Sequence, residues 1–292
     1  MKIAVIIVVA AFIAAIAEKN NAMLKTWRST FIPLIPAGIS AAMLYFITDN
    51  LSSAIIVGGI AFFVMLIATK GNYRPYILLA IAVLAAVFVV LGFSKGWFVK
   101  DGQVDFRGAR ILAWLDPEND PQGDSFQTLQ SLYGIGSGGV LGKGLGKSIQ
   151  KLGFLPEAQN DMIFAIICEE LGLCGGFAVI VLFLLLLWRL SFIASHCRDT
   201  FGILLVTGIF VHIALQVIIN IAVVTNVIPN TGITLPFISY GGSSIIALMM
   251  EMGIAINVSF HCKFDPDEFR IGKKKLKKAD FQVVKEQDSE EE

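Results

Sequence analysis

Few residues in this chain could do chemistry, and the most informative is an acid. Asp161 stands in FLPEAQNDMIFAIICEE, residues 154–170, where a long polar stretch runs into a strongly apolar one. A carboxylate at the edge of a bilayer is costly to keep unless it has a partner or a task. Position alone leaves two readings open. Either Asp161 serves the start of the following helix, whose N-terminus favours an acid, or it is a general base or metal ligand facing a cavity. Glu169 and Glu170 lie two turns deeper, and Glu251 lies in the last apolar run. Acids inside a membrane need partners, so a structural hydrogen bond is the plain reading for each of these three.

A second group surrounds the run GIGSGGVLGKGLGKS, residues 134–148. Gly134, Gly136 and Gly139 fit the spacing of a dinucleotide loop, but no strand precedes them and no βαβ unit surrounds them. The GKS at 146–148 lacks the glycine a phosphate loop needs five residues earlier, where Leu141 stands. A glycine-rich turn that brings backbone close to a membrane surface or an anionic head group fits better. The four cysteines, Cys168, Cys174, Cys197 and Cys262, show neither a disulfide framework nor metal-ligand spacing and read as inert thiols.

These residues must be held by membrane helices. Mean hydropathy is +0.73 and only 16% of residues are charged, against about a quarter in soluble domains. Spans are expected at roughly 3–17, 30–48, 52–69, 75–93, 161–188, 201–224 and 240–260, so the fold class is an all-α integral membrane protein with about seven transmembrane helices. The membrane domain covers 1–262, with one long loop at 94–160, and a charged tail covers 263–292. Net charge is zero and no nucleic-acid motif occurs, so no nucleic-acid partner is expected. Lys19, Lys25 and Arg28, then Lys70 and Arg74, then Arg189 and Arg198 fall in alternate connections. The positive-inside rule therefore puts the N-terminus outside, the C-terminus in the cytoplasm and the long loop outside. The opening run has no charged n-region and no cleavage site and is not read as a signal peptide. Arg270 and the lysines at 273–278 form a basic cluster beside the last helix, either an anionic-lipid contact or a positive-inside anchor.

Two further segments shape the site. Phe126, Leu129, Leu132 and Tyr133 share a helical face, expected either in the membrane interface or packed on the spans. The segment NVIPNTGITLPFISYGGSS, 226–244, breaks apolar periodicity with two prolines and three glycines. Non-helical backbone at membrane depth survives only within protein or beside a water-filled cavity, so this segment is expected to line the cavity of Asp161. Gln216 and Asn220 on the preceding helix are placed to satisfy its backbone groups.

At these residues the chain resembles the SEDS family of shape, elongation, division and sporulation proteins, most of all its FtsW/SpoVE branch, with RodA as the near relative. The resemblance rests on LAWLDPENDPQGDSFQTLQSL (112–132), on IGSGGVLGKGLGKSIQKLGFLPEAQNDMIFAIICEELGL (135–173) and on QVIINIAVVTNVIPNTGITLPFISYGGSS (216–244). It implies a peptidoglycan glycosyltransferase that polymerises lipid II at the outer face of the bacterial cytoplasmic membrane, in cell division or sporulation. The implied partners are lipid II and undecaprenyl-diphosphate-linked glycan, a class B penicillin-binding protein, other divisome or elongasome membrane proteins, and the bilayer. The family's essential Asp falls on Asp161, and its Arg before the LDP segment on Arg110. Asp161 is then the catalytic base, or it holds a divalent cation, Mg2+ or Mn2+; no other cofactor is implied. Arg110, Lys143, Lys147 and Lys151 are candidate diphosphate contacts, and Glu157, Ser239 and Ser243 complete the expected substrate-binding set. The chain departs from the family at TDNLSSA (48–54), at Gln159-Asn160, and at its start, where three spans and a PSE motif of relatives are expected to be missing. Two other functions compete with polymerisation. One is a flippase for the lipid-linked precursor, which Glu169, Glu170, Glu251 and the broken segment would suit. The other is a truncated, inactive relative.

Overall fold

Apolar runs of this composition can satisfy their backbone in lipid only as helices, and helices are what form. The computed structural model describes residues 2–19, 34–48, 51–68, 106–118, 123, 125–197 and 199–262. They comprise α1 (Lys2–Lys19), α2 (Leu34–Thr48), α3 (Leu51–Ala68), α4 (Phe106–Leu115), α5 (Phe126–Gly138), a 3-10 turn (Gln150–Leu152), α6 (Ile163–His196), α7 (Thr200–Val224) and α8 (Gly242–His261). No strand occurs among the described residues. The span expected at 75–93, residues 94–105, Gln122 in DPQG, most basic residues of the first and third connections, Arg198 and the tail from 263 lie outside them.

The axis of the bundle is α7, which is apolar apart from a buried polar face of His212, Gln216 and Asn220 and packs against α1, α3, α6 and α8. Asp199 caps it, its carboxylate accepting from the Gly202 N–H at 2.9 Å. Small residues let the neighbours close in: a Cβ on Gly208 would meet Ile6 of α1, and one on Gly59 of α3 would meet Leu215 of α7. Helix α1 buries Val5, Ile6, Val9, Ala10, Ile13 and Ala14 as a stripe at helical spacing. Helices α6, α7 and α8 are long and apolar enough to cross a membrane, and α2 and α3 are shorter apolar helices.

The run expected as one span at 161–188 is corrected by the structure. Helix α6 is interrupted at Gly172, whose φ of 69° and ψ of −168° lie far from helical values. A Cβ on Gly176 would lie 2.8 Å from Cys168 Sγ and 3.4 Å from the Phe164 ring. In a continuous helix, positions 164 and 176 stand about 18 Å apart. The chain therefore doubles back at Gly172, and α6 is two arms, 163–171 and 173–196. The second arm alone is about 36 Å long, enough to cross a hydrocarbon core of about 30 Å. Glu169 and Glu170 then sit beside this reversal, at the end of the first arm.

A break of this kind orphans backbone groups on both sides, and the glycine-rich run satisfies them. The carbonyls of Glu169 and Glu170 accept from the N–H groups of Lys143 and Gly144, at 3.0 and 2.9 Å. The N–H groups of Leu173 and Cys174 donate to the carbonyls of Gly139 and Val140, at 2.9 and 3.2 Å. Gly142 and Gly172 interleave so closely that a Cβ on either would strike the other segment's backbone, and both have positive φ. Glycine is the residue that meets both demands. The backbone approach expected of this run is thus made to the protein's own helix break.

Candidate functional site

Asp161 lies in the turn that leads into α6, 6% exposed. It does not cap that helix: the cap position is Met162, and no side chain makes a cap hydrogen bond there. The turn is pinned from two directions. Asn220 on α7, fully buried, donates from Nδ2 to the Asp161 carbonyl at 2.6 Å and to the Ile233 carbonyl at 2.7 Å. The Tyr240 N–H donates to the Gln159 carbonyl at 2.9 Å. The irregular segment 225–241, non-helical as its sequence demands, is thereby stitched to the acid's turn. Gly232 stands over the carboxylate, where a Cβ would come 3.8 Å from Oδ2. The broken segment thus packs against the turn of Asp161, the neighbourhood expected of it.

Side chains complete the surroundings. Gln127 of α5 donates from Nε2 to Asp161 Oδ1 at 3.5 Å and to the Pro156 carbonyl at 3.3 Å, while its Oε1 accepts from Asn230 Nδ2 at 2.6 Å. Arg110 of α4 donates to the Asn230 carbonyl at 3.4 Å and acts electrostatically on Asp161. Burial pushes the Asp161 carboxyl up to about 6, from 3.8. Its own backbone N–H opposes the rise, the Glu157 charge adds to it, and Arg110 opposes it. Glu157, Asn226 and Phe237, all in the segments that enclose the acid, have φ of 53°, 58° and 63°. Left-handed backbone at non-glycine residues costs energy and clusters at functional sites.

The expected substrate residues divide into separate groups. Arg110 and Glu157 join Asp161. Lys143 and Lys151 do not: they pair with Glu169 at 2.7 Å and with Glu170 at 2.6 Å, at the far end of the arm 163–171. Ser148 donates from Oγ to Glu169 as well, and the Ile149 and Gln150 N–H groups bond the same carboxylate. The acid pair thus has its partners, and these clamp the loop 143–151. Lys147 is exposed on that loop. Ser239 is buried, its Oγ accepting from the Leu235 N–H at 2.7 Å, and Ser243 is exposed in the first turn of α8. Glu251 bonds His212 of α7 at 2.9 Å, both buried. Cys168, Cys197 and Cys262 are buried and Cys174 is exposed, all as free thiols. Of the two readings for Phe126–Tyr133, packing prevails for Leu129, since α5 buries Thr128, Leu129, Ser131, Gly134 and Gly138 against the arm 163–171 and α7. Gln127 and Asn230 are absent from the sequence-based candidates. An amide in an amphipathic helix or a proline-rich turn carries no sign of its target.

Comparisons with known proteins identify the relatives of this chain. The model of the cell cycle protein family FtsW/RodA/SpoVE matches residues 1–263. Stage V sporulation protein E of Bacillus subtilis (strain 168) is 39% identical over 264 residues, which are 90% of this chain and 68% of that protein. A probable peptidoglycan glycosyltransferase FtsW of Geobacter metallireducens is 37% identical over 249 residues, 85% of this chain and 64% of that protein. A solved chain from work on structural coordination of polymerization and crosslinking by a peptidoglycan synthase complex superposes with a TM-score of 0.66 at 26% identity, covering 90% of this chain and 69% of its own. The chain spans about two thirds of the length of these curated relatives. With nine-tenths of its residues matched, the chain belongs to the FtsW/RodA/SpoVE family of cell cycle proteins.

Proposed function

We propose that this chain is a peptidoglycan glycosyltransferase that joins lipid-linked disaccharides, lipid II, at the outer face of the cytoplasmic membrane. The N-terminus as given is then outside and the C-terminus cytoplasmic. The observation that carries the reading is a buried carboxylate, Asp161, near Arg110 and enclosed by strained, non-helical backbone at the end of three spans. The acceptor 4-hydroxyl attacks the donor's anomeric carbon, the bond from that carbon to the phosphate oxygen breaks, and undecaprenyl diphosphate leaves with the electron pair. The acceptor's proton goes to Asp161 Oδ. A carboxyl titrating near 6 is mostly ionised at neutral pH yet far more basic than an ordinary aspartate. Arg110 is the cation placed to meet the diphosphate charge.

Asp161 also fits a divalent cation. No three His, Cys, Asp or Glu side chains converge among the described residues. Mg2+ or Mn2+ would take Asp161 as a single protein carboxylate, with water and diphosphate oxygens completing its shell, a mode Mg2+ favours at phosphate sites. Bound there, it would supply positive charge for the leaving group.

The expected partner is a class B penicillin-binding protein, in line with the synthase complex that this fold matches. The test is lipid II polymerisation by the purified chain with such a partner. Asp161→Asn is expected to lower the rate by about 100-fold or more. Unchanged polymerisation in that variant would remove Asp161 from the mechanism.

A further inference from the structure

The loop 140–154 presents an apolar outer surface that neither the site nor the core uses. Val140, Leu141, Leu145, Ile149, Leu152 and Phe154 are all more than half exposed, Leu141 the most at 83%. The loop is not loose at its base. Its backbone is bonded to the helix break at Gly172, and Glu169 and Glu170 hold its lysines 143 and 151. Those two pairs offset most of its charge, and Lys147 is a further, exposed cation.

Two observations identify what covers it. The first is height. The arm 173–196 is about 36 Å long and crosses the bilayer, so the break to which the loop is bonded lies where hydrocarbon meets head groups. The second is continuity. Leu173 and Phe177, both 66% exposed, begin the exposed apolar side of that span, and the Leu173 and Cys174 N–H groups bond the carbonyls of Gly139 and Val140. Val140 and Leu141 therefore extend the exposed apolar side of a membrane-spanning helix. Apolar side chains with an interspersed lysine are the composition of an interfacial segment, whose lysine reaches back to the head groups.

We infer that the loop 140–154 is a membrane anchor, seated by its apolar side chains in the acyl-chain margin of the leaflet on the Gly172 side. It binds phospholipid and carries no part of the reaction, so the inference stands apart from the proposed chemistry. By seating there it fixes the height of the Glu169–Glu170 end of the arm that carries Asp161 at its other end.

The test uses the unaltered full chain in nanodiscs of phosphatidylcholine and phosphatidylglycerol that include a phosphatidylcholine with a diazirine in its acyl chain. After photolysis, peptide mass spectrometry locates the adducts. Adducts in 140–154 are expected at a yield within about threefold of those in 173–185. Labelling confined to the span would overturn the inference. So would a loop that stays unlabelled and becomes protected from aqueous reagents only on adding a penicillin-binding protein, which would make this surface a protein-docking site. A second measurement does not depend on crosslinking. Nitroxides at Leu145→Cys and Leu152→Cys, in a Cys174→Ser background, are expected to collide more with oxygen than with an aqueous nickel chelate. The reverse order counts against the anchor.

Discussion

At the scale of residues, Asp161 sets opposing demands on activity and stability. Its carboxyl is raised from 3.8 to about 6, chiefly by burial, so the folded chain holds this proton more tightly than the unfolded chain. A group with that sign costs stability as pH rises through the window between the two values. Asp161→Asn should therefore raise Tm at pH 7 to 8 and leave it unchanged below about pH 3.8, where the acid is neutral in both states. The gain has a ceiling of about 3 kcal/mol for a shift of this size. The native rate should climb as pH passes 6 and level off above it, which a polymerisation assay from pH 5 to 8 would show. A flat profile would mean that this proton is not the one transferred. The importance of this acid was legible in the sequence because a charge stood beside an apolar run. Gln127 was not legible, since its reach to Asp161 and Asn230 depends on how α5 lies against the arm 163–171.

At the scale of elements, the reversal at Gly172 dominates. A Cβ there meets the Val140 carbonyl and must adopt a φ of 69°, so Gly172→Ala should cost more than the roughly 1–2 kcal/mol of a left-handed residue alone. Gly136→Ala, with nothing within 4 Å of its Cβ and in the same glycine-rich stretch, should change little. Thermal unfolding in detergent, followed by size-exclusion fluorescence, compares the two; equal losses would sink the account of the break. The clamp has its own test. Lys143→Met and Glu169→Gln should show a coupling of about 1–3 kcal/mol in a double-mutant cycle, because Glu169 is fully buried and its partner is mostly so. The break escaped the periodic pattern because both arms are apolar, so nothing changes at the turn. Length carried the missing signal: 34 helical residues measure about 51 Å, well beyond a bilayer core of about 30 Å, and Gly172, Gly175 and Gly176 mark where the excess folds back. The segment 225–241 was legible because two prolines cannot continue a helix at that depth.

At the scale of the molecule, α7 is the element the others share. The His212–Glu251 bond ties it to α8 inside the bundle. His212→Ala would remove the hydrogen-bond partner of that buried carboxyl and leave Lys2 of α1 as its charged neighbour, with an expected loss of roughly 1–3 kcal/mol, read as a fall in Tm. For α1, α2, α3, α7 and α8, existence and rough bounds followed from apolar length alone, whereas the choice of neighbours did not. Ile6 against Gly208 and Leu215 against Gly59 are contacts between positions far apart in the chain, which no local pattern specifies. The doubled-back arm has one more consequence. Nine helical residues, 163–171, separate the acid's turn from the reversal at Gly172, a distance of about 13 Å. The reach of the acid from that reversal is thus set by a length of chain, like the arm of a gauge. Adding or removing one helical turn would displace Asp161 by about 5 Å and break its bond to Asn220, even with every side chain of the site in place. Relatives that reach a differently placed bond in their substrate would be expected to differ in the count of this arm rather than in the residues at its tip.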